Sequence, residues 1–167
     1  LPWIHQTGDL LRELMVEEAP VVAVCFGHQL LAQAMGGTVA KSNDGWGAGV
    51  HSYQFVADVP SWMTPPPAGP VRIIASHQDQ VIALPPGATV LAQTDHCPIA
   101  AYTLGSSVLA IQPHPEFTAA VSQGLVERRR DRVGAEASDA ALASLAEPLD
   151  QDLVAGWMAR FLRNAQP

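Results

Sequence analysis

The stretch PVVAVCFGHQLLAQAMGG, residues 20–37, decides how the rest of the chain is read. Its first half, VVAVC, is short, continuous and β-branched, the pattern of a strand buried on both faces, as in a parallel sheet with helices on either side. From Gly27 to Met35 the chain puts Leu30, Leu31, Ala34 and Met35 on one face, and Gly36-Gly37 supplies the left-handed stop expected past a helix C-terminus. Cys25 therefore falls at a strand-to-helix junction. A cysteine there is either a small buried hydrophobe or a nucleophile lifted out at the end of the sheet. The second case needs a turn so tight that the neighbours two residues away, here Ala23 and Gly27, must be small. The free N–H groups and positive dipole end of the following helix would then favour thiolate, and the Phe26 N–H would be one oxyanion donor.

Outward from this junction, residues 8–18 place Leu10, Leu11, Leu14 and Met15 on one stripe of an amphipathic helix that Pro20 ends. After residue 37 the character changes. The segments 49–56, 71–76, 88–94, 99–104 and 107–113 read as short strands separated by turn residues, with LGSS between the last two as a hairpin turn. PSWMTPPPAGP, residues 60–70, is an irregular loop, because proline cannot feed a ladder. Helical patterns return in 118–133 and in 150–164, where Leu153, Val154, Trp157, Met158, Phe161 and Leu162 form one stripe. Strand, helix, several strands, then helices predicts a three-layer α/β domain with some antiparallel pairs at one edge.

A chain of 167 residues suits one domain, residues 1–167. Its 48% hydrophobic against 15% charged residues is a globular balance, and no apolar run is long enough to span a bilayer. A formal net charge of −7 would repel a polyanion, so nucleic acid is not an expected partner, and the basic cluster Arg128 to Arg130 with Arg132 reads as a solvated helix face. Neither Cys25 nor Cys97 lies in a zinc-ligand spacing, and no signal peptide is visible at the start. A soluble, cytoplasmic protein needing no metal or organic cofactor is the expectation.

A thiolate nucleophile needs a histidine to take and return protons, and that histidine needs an orienting partner. AIQPHPEF provides His114 and Glu116 directly after the apolar strand VLAI. A spacing of two along an extended stretch would put both side chains on one side, so that Glu116 could reach the imidazole.

CFGHQLLAQAMGG, GWGAG, SHQDQV and IQPHPEF, in that order, closely resemble the class I (triad-type) glutamine amidotransferases, most nearly the stand-alone members similar to the amidotransferase domain of GMP synthase. The resemblance runs over nearly the whole chain. It implies a doubly wound mixed sheet with helices on both faces, the flavodoxin-like fold of that family, and a Cys25, His114 and Glu116 triad. In the family the thiolate attacks the side-chain amide of glutamine, ammonia leaves, and water releases glutamate from a γ-glutamyl thioester. Gly27 and Gln29 match substrate-contacting positions, while His28 supports the turn. His77 and Asp79 match a loop at the active-site mouth facing the partner that receives ammonia; an ordinary polar turn is the alternative. Gly45, Gly47 and Gly49 would let the backbone turn close to the site, Trp46 is core or substrate wall, Cys97 is structural, and His5 and His51 have no assigned role.

Two departures from the family pattern stand out. Ala23 replaces the usual glycine two residues before the nucleophile. The family's N-terminal strands and helix, with a second oxyanion donor, have no counterpart before LPWI, so a preceding segment is expected to exist outside this chain, or the chain is inactive. Three functions compete: a glutamine-hydrolysing amidotransferase that passes ammonia to a synthetase in trans or releases it, a γ-glutamyl peptidase or hydrolase with the same triad, and a non-catalytic binding or regulatory relative.

Overall fold

The computed structural model describes residues 1–164. Pro2 takes the first helical turn, where its missing N–H removes nothing, and helix α1 (Pro2–Val16) starts six residues before the expected start at residue 8. Strand β1 (Val21–Val24) and helix α2 (Phe26–Ala34) follow, joined by the single residue Cys25. Then come β2 (Thr38–Lys41), β3 (Gly47–Phe55), β4 (Val71–His77), β5 (Asp79–Ala83), β6 (Ala88–Gln93), β7 (Ala101–Leu104) and β8 (Val108–Ile111). Helices α3 (Ala119–Arg128), α4 (Arg130–Val133), α5 (Ala135–Ser144) and α6 (Gln151–Asn164) complete the chain.

Six strands form a mixed sheet in the order β1-β8-β7-β6-β3-β4, with β1 and β8 parallel and the other neighbours antiparallel. Alternation sends Val22, Val24, Leu109 and Ile111 to one face, where they meet Val154, Trp157 and Phe161 of α6. Ala23, Val108 and Ala110 go to the other, against Leu31 and Ala32 of α2 with Leu11 and Met15 of α1 alongside. The result is the three-layer α/β sandwich that the pattern predicts. No helix among the described residues is long and apolar enough to cross a membrane.

Four local readings change. Among the described residues β1 has a hydrogen-bonded neighbour on one side only, and Ala23 alone of its residues is buried; β8 is the strand buried throughout. SHQDQ is no loop: β4 runs through His77, Gln78 makes the bend, and β5 starts at Asp79 to pair with β2 as a separate two-stranded sheet. Helix α5 also goes unsignalled by apolar periodicity. Its buried residues are Ser138 and Ala141, small enough for the helix to lie against Gly49 of β3. Finally, the sheet curls until His114 bridges Ile74 of β4, its N–H donating to the Ile74 carbonyl at 2.8 Å, which brings the end of β4 round to the ends of β1 and β8.

Candidate active site

Val24 and Ile111 are register partners at the carboxyl ends of β1 and β8, so the residues that follow them leave the sheet side by side. Adjacent strands lie about 4.8 Å apart. The Cys25 N–H donates to the Ile111 carbonyl at 2.8 Å, and the chain then turns into α2 with Cys25 at φ 51°, ψ −102°. Apart from Glu18, it is the only non-glycine among the described residues with positive φ. A β-carbon placed on Gly27 would lie 3.6 Å from that of Ala23, an ordinary van der Waals contact, so the turn accommodates the methyl group that Ala23 carries.

His114 and Glu116 do meet, but through a turn and not an extended stretch. Pro115 starts a reversal in which the Phe117 N–H donates to the His114 carbonyl at 3.3 Å. His114 Nδ1 then lies 2.6 Å from Glu116 Oε1, and the imidazole stacks on the Phe117 ring at 3.9 Å between centroids. The Gln151 side chain of α6 donates to the carbonyls of Pro115 and Phe117, tying this turn to the helix layer. A histidine held at Nδ1 by a carboxylate keeps Nε2 for another partner.

Gln112, also in IQPHPEF, belongs to the site although spacing gave it no role. Its fully buried amide donates to Cys25 Sγ at 3.6 Å and accepts from Gln29 Nε2 at 3.1 Å. Gln29 also donates to the Asp79 carbonyl at 2.7 Å, which commits its amide N–H groups and leaves its oxygen. Burial pushes the Cys25 thiol above its ordinary value; the Phe26 N–H, Gln112 and Arg129 pull the other way, and the Glu116 charge adds to the rise. The helix end therefore acts on the sulfur as expected, yet desolvation outweighs it.

Cys25, Gln29, Lys41, Trp46, Ser76, His77, Gln78, Asp79, Arg129 and Arg132 line one cleft. Asp79 is exposed at its edge, whereas the His77 ring is buried against His96, 5.8 Å between centroids. Trp46 is wall and not core. Arg129 and Arg132, expected on a solvated face, stand over the Trp46 ring at 5.8 and 5.6 Å, because the chain breaks between α3 and α4 at Arg129 and turns both toward the cleft. The close approaches of Gly47 and Gly49 are to the His77 and His96 rings and to α5. His28 is fully buried; its ring packs 4.9 Å from that of Tyr102, whose hydroxyl donates to the His28 carbonyl at 2.9 Å, which fits support of the turn. Cys97 is buried, and burial pushes its thiol up to about 12.

Residues 4–129 match the family model described as Glutamine amidotransferase class-I. γ-Glutamyl peptidase 5 of Arabidopsis thaliana is 31% identical over 134 residues, covering 75% of this chain and 51% of that protein. One of the subunits of the glutamine-hydrolyzing GMP synthase of Halobacterium salinarum is 35% identical over 106 residues, covering 63% of this chain and 57% of that protein. Among solved structures, a glutamine amidotransferase from Thermotoga maritima superposes with a TM-score of 0.76 at 21% identity, covering 100% of this chain and 71% of that one, a likeness of fold. The chain spans about half the length of the curated relatives it matches.

Proposed function

The chain belongs to the class-I glutamine amidotransferase family, and from that premise we propose that residues 1–167 form one domain that cleaves a γ-glutamyl amide through a thioester on Cys25, with His114 as acid and base and Glu116 as its orienter. The observation that carries this is the strained backbone of Cys25 at the end of β1, beside the His114–Glu116 pair that follows β8. Residues held in sparsely populated backbone conformations cluster at functional sites.

Because burial holds the thiol neutral, attack and deprotonation go together. As Sγ bonds to the amide carbon, His114 takes the thiol proton; as the carbon–nitrogen bond breaks, His114 gives that proton to the departing nitrogen. Water then attacks the thioester, losing a proton to His114, and the carbon–sulfur bond breaks to return the thiol and release a γ-carboxylate. The Phe26 N–H, already directed at the sulfur, supports the oxyanion. Gln29 lines the cleft with its amide oxygen uncommitted, which offers an acceptor for substrate N–H groups. Asp79 at the rim is where a synthetase in trans would meet ammonia, if glutamine is the substrate.

Glutamate release from glutamine and from γ-glutamyl peptides, with wild type and with Cys25→Ser, tests this. The substitution should lower the rate by at least about 1,000-fold, in line with loss of the attacking atom from a triad. Wild-type rates in Cys25→Ser would overturn the nucleophile assignment, and turnover of neither substrate would favour a binding or regulatory role.

A further inference from the structure

Three of the nine basic side chains of this protein, Lys41, Arg129 and Arg132, face the cleft that contains Cys25. In a chain of net charge −7 such a grouping runs against composition. The cleft wall contributes one carboxylate, Asp79, at its exposed edge. Among the described residues none of the three cations is ion-paired, whereas Arg12, Arg72 and Arg130 are held by Asp9, Asp150 and Asp139. Arg130 lies between the two cleft arginines in sequence and turns away to its partner; Arg129 and Arg132 share one tryptophan ring instead, and Arg129 Nη1 donates to Ser76 Oγ at 3.2 Å. Two like charges over one ring repel, and an anion between them relieves that repulsion while planar guanidinium forks suit a carboxylate.

The charge count bears on the leaving group. Glutamine has one carboxylate and one ammonium, is neutral overall, and loses ammonia, which needs neither room nor an anion site. A γ-glutamyl compound whose amine is an amino acid or peptide carries a second carboxylate and a net negative charge. Three cations against one carboxylate leave a surplus that glutamine does not use.

We propose that this site prefers γ-glutamyl compounds whose leaving amine bears a carboxylate, and that Arg129 and Arg132, stacked on Trp46, bind that carboxylate with Lys41 adding to the local potential. This rests on the γ-glutamyl thioester reading. The sulfur–carbon bond forms, the carbon–nitrogen bond breaks, the amino acid or peptide leaves with the proton from His114, and water discharges the thioester as glutamate.

The test compares kcat/KM for a γ-glutamyl amino acid, its carboxamide and glutamine, in wild type, Arg129→Gln and Arg132→Gln. The free acid should exceed the carboxamide by about tenfold at low salt, as expected for a charge-assisted hydrogen bond. That ratio should shrink with added KCl, because the site is open to solvent, and should fall toward one in either variant. Equal rates for acid and carboxamide in wild type would overturn the proposal. So would an equal loss on all three substrates in the variants, which would put the arginines on the α-carboxylate common to them. Calorimetric binding to Cys25→Ala separates two failures: absence of Cys25-dependent hydrolysis sinks the thioester reading, while equal binding of acid and carboxamide sinks this proposal alone.

Discussion

At the scale of single residues, Cys25 holds a conformation that costs an L-residue about 1–3 kcal/mol. Glycine does not feel that cost, so Cys25→Gly should be more stable than Cys25→Ala by about 1 kcal/mol, the reverse of the usual order of these two residues. Urea midpoints of the two variants check this; the usual order would mean that the turn relaxes. The thiol gives a second expectation. With burial raising it, iodoacetamide labelling of the Cys25 peptide should keep rising above pH 9, and a plateau below pH 8 would show that the helix end and nearby donors outweigh desolvation. Gln112→Leu keeps the volume but removes the donor to Sγ and the acceptor for Gln29, so kcat in the glutamate-release assay should fall about tenfold with a smaller change in KM. An unchanged kcat would reduce Gln112 to packing. Cys25 was legible because it stands directly after a strand that an apolar run announces, and His114 and Glu116, three and five residues past the end of β8, because IQPHPEF together with CFGHQ carries the family resemblance. Gln112, Arg129 and Arg132 were not, because their partners lie 53 or more residues away in sequence and only the folded sheet brings them together.

Among elements, the contact of α5 with β3 shows what periodicity reads and what it misses. The α6 stripe of large apolar residues announces itself, and α6 falls within one residue of the expected start. In α5 the buried positions are Ser138 and Ala141, which carry no hydrophobic signal; their smallness is the packing device. A β-carbon on Gly49, which has φ 80°, would lie 2.4 Å from Ser144 Oγ and 2.7 Å from the Ala141 backbone. That hydroxyl accepts from the Val50 N–H at 2.8 Å and donates to the Ala141 carbonyl at 2.6 Å, so the crowding cannot be relieved by moving one flexible end. Gly49→Ala should therefore destabilise by about 2 kcal/mol or more. Gly124, inside α3 with open space around it, makes the contrast: Gly124→Ala should stabilise by about 0.5–1 kcal/mol. Thermal melts of both proteins check the pair, and a neutral Gly49→Ala would show that α5 can lift off β3. The small β2–β5 sheet escaped the pattern for a related reason: β5 begins inside polar residues that resemble a turn.

The molecule as a whole buries two imidazoles, His28 and His77, with His51 and His96 half-buried. Burial, with the repulsion of neighbouring rings, holds His28 and His77 down at about 3, and it lowers His51 and His96 as well. His77 and His51 each pack within 6 Å of His96, and the His28 ring lies 4.9 Å from that of Tyr102, so protonating His77 would disturb the β4 end and protonating His28 the α2 start. In the unfolded chain these histidines titrate near 6.5. Between about 3 and 6.5 the unfolded state binds protons that the folded state refuses, so the stability is fully present above pH 6.5 and is lost as pH falls toward 3. For a histidine so displaced, the loss between pH 7 and pH 5 is about 2 kcal/mol, and His28 and His77 together would remove a large part of the roughly 5–15 kcal/mol typical of a domain. The urea midpoint should therefore drop markedly from pH 7 to pH 5 with the slope of the transition unchanged, and the ring proton shifts of His28 and His77 should not move over that range. A constant midpoint, or either ring titrating near pH 6, would show that the native chain accepts the proton, and that the layer beneath the cleft is more hydrated than the packing of these rings implies.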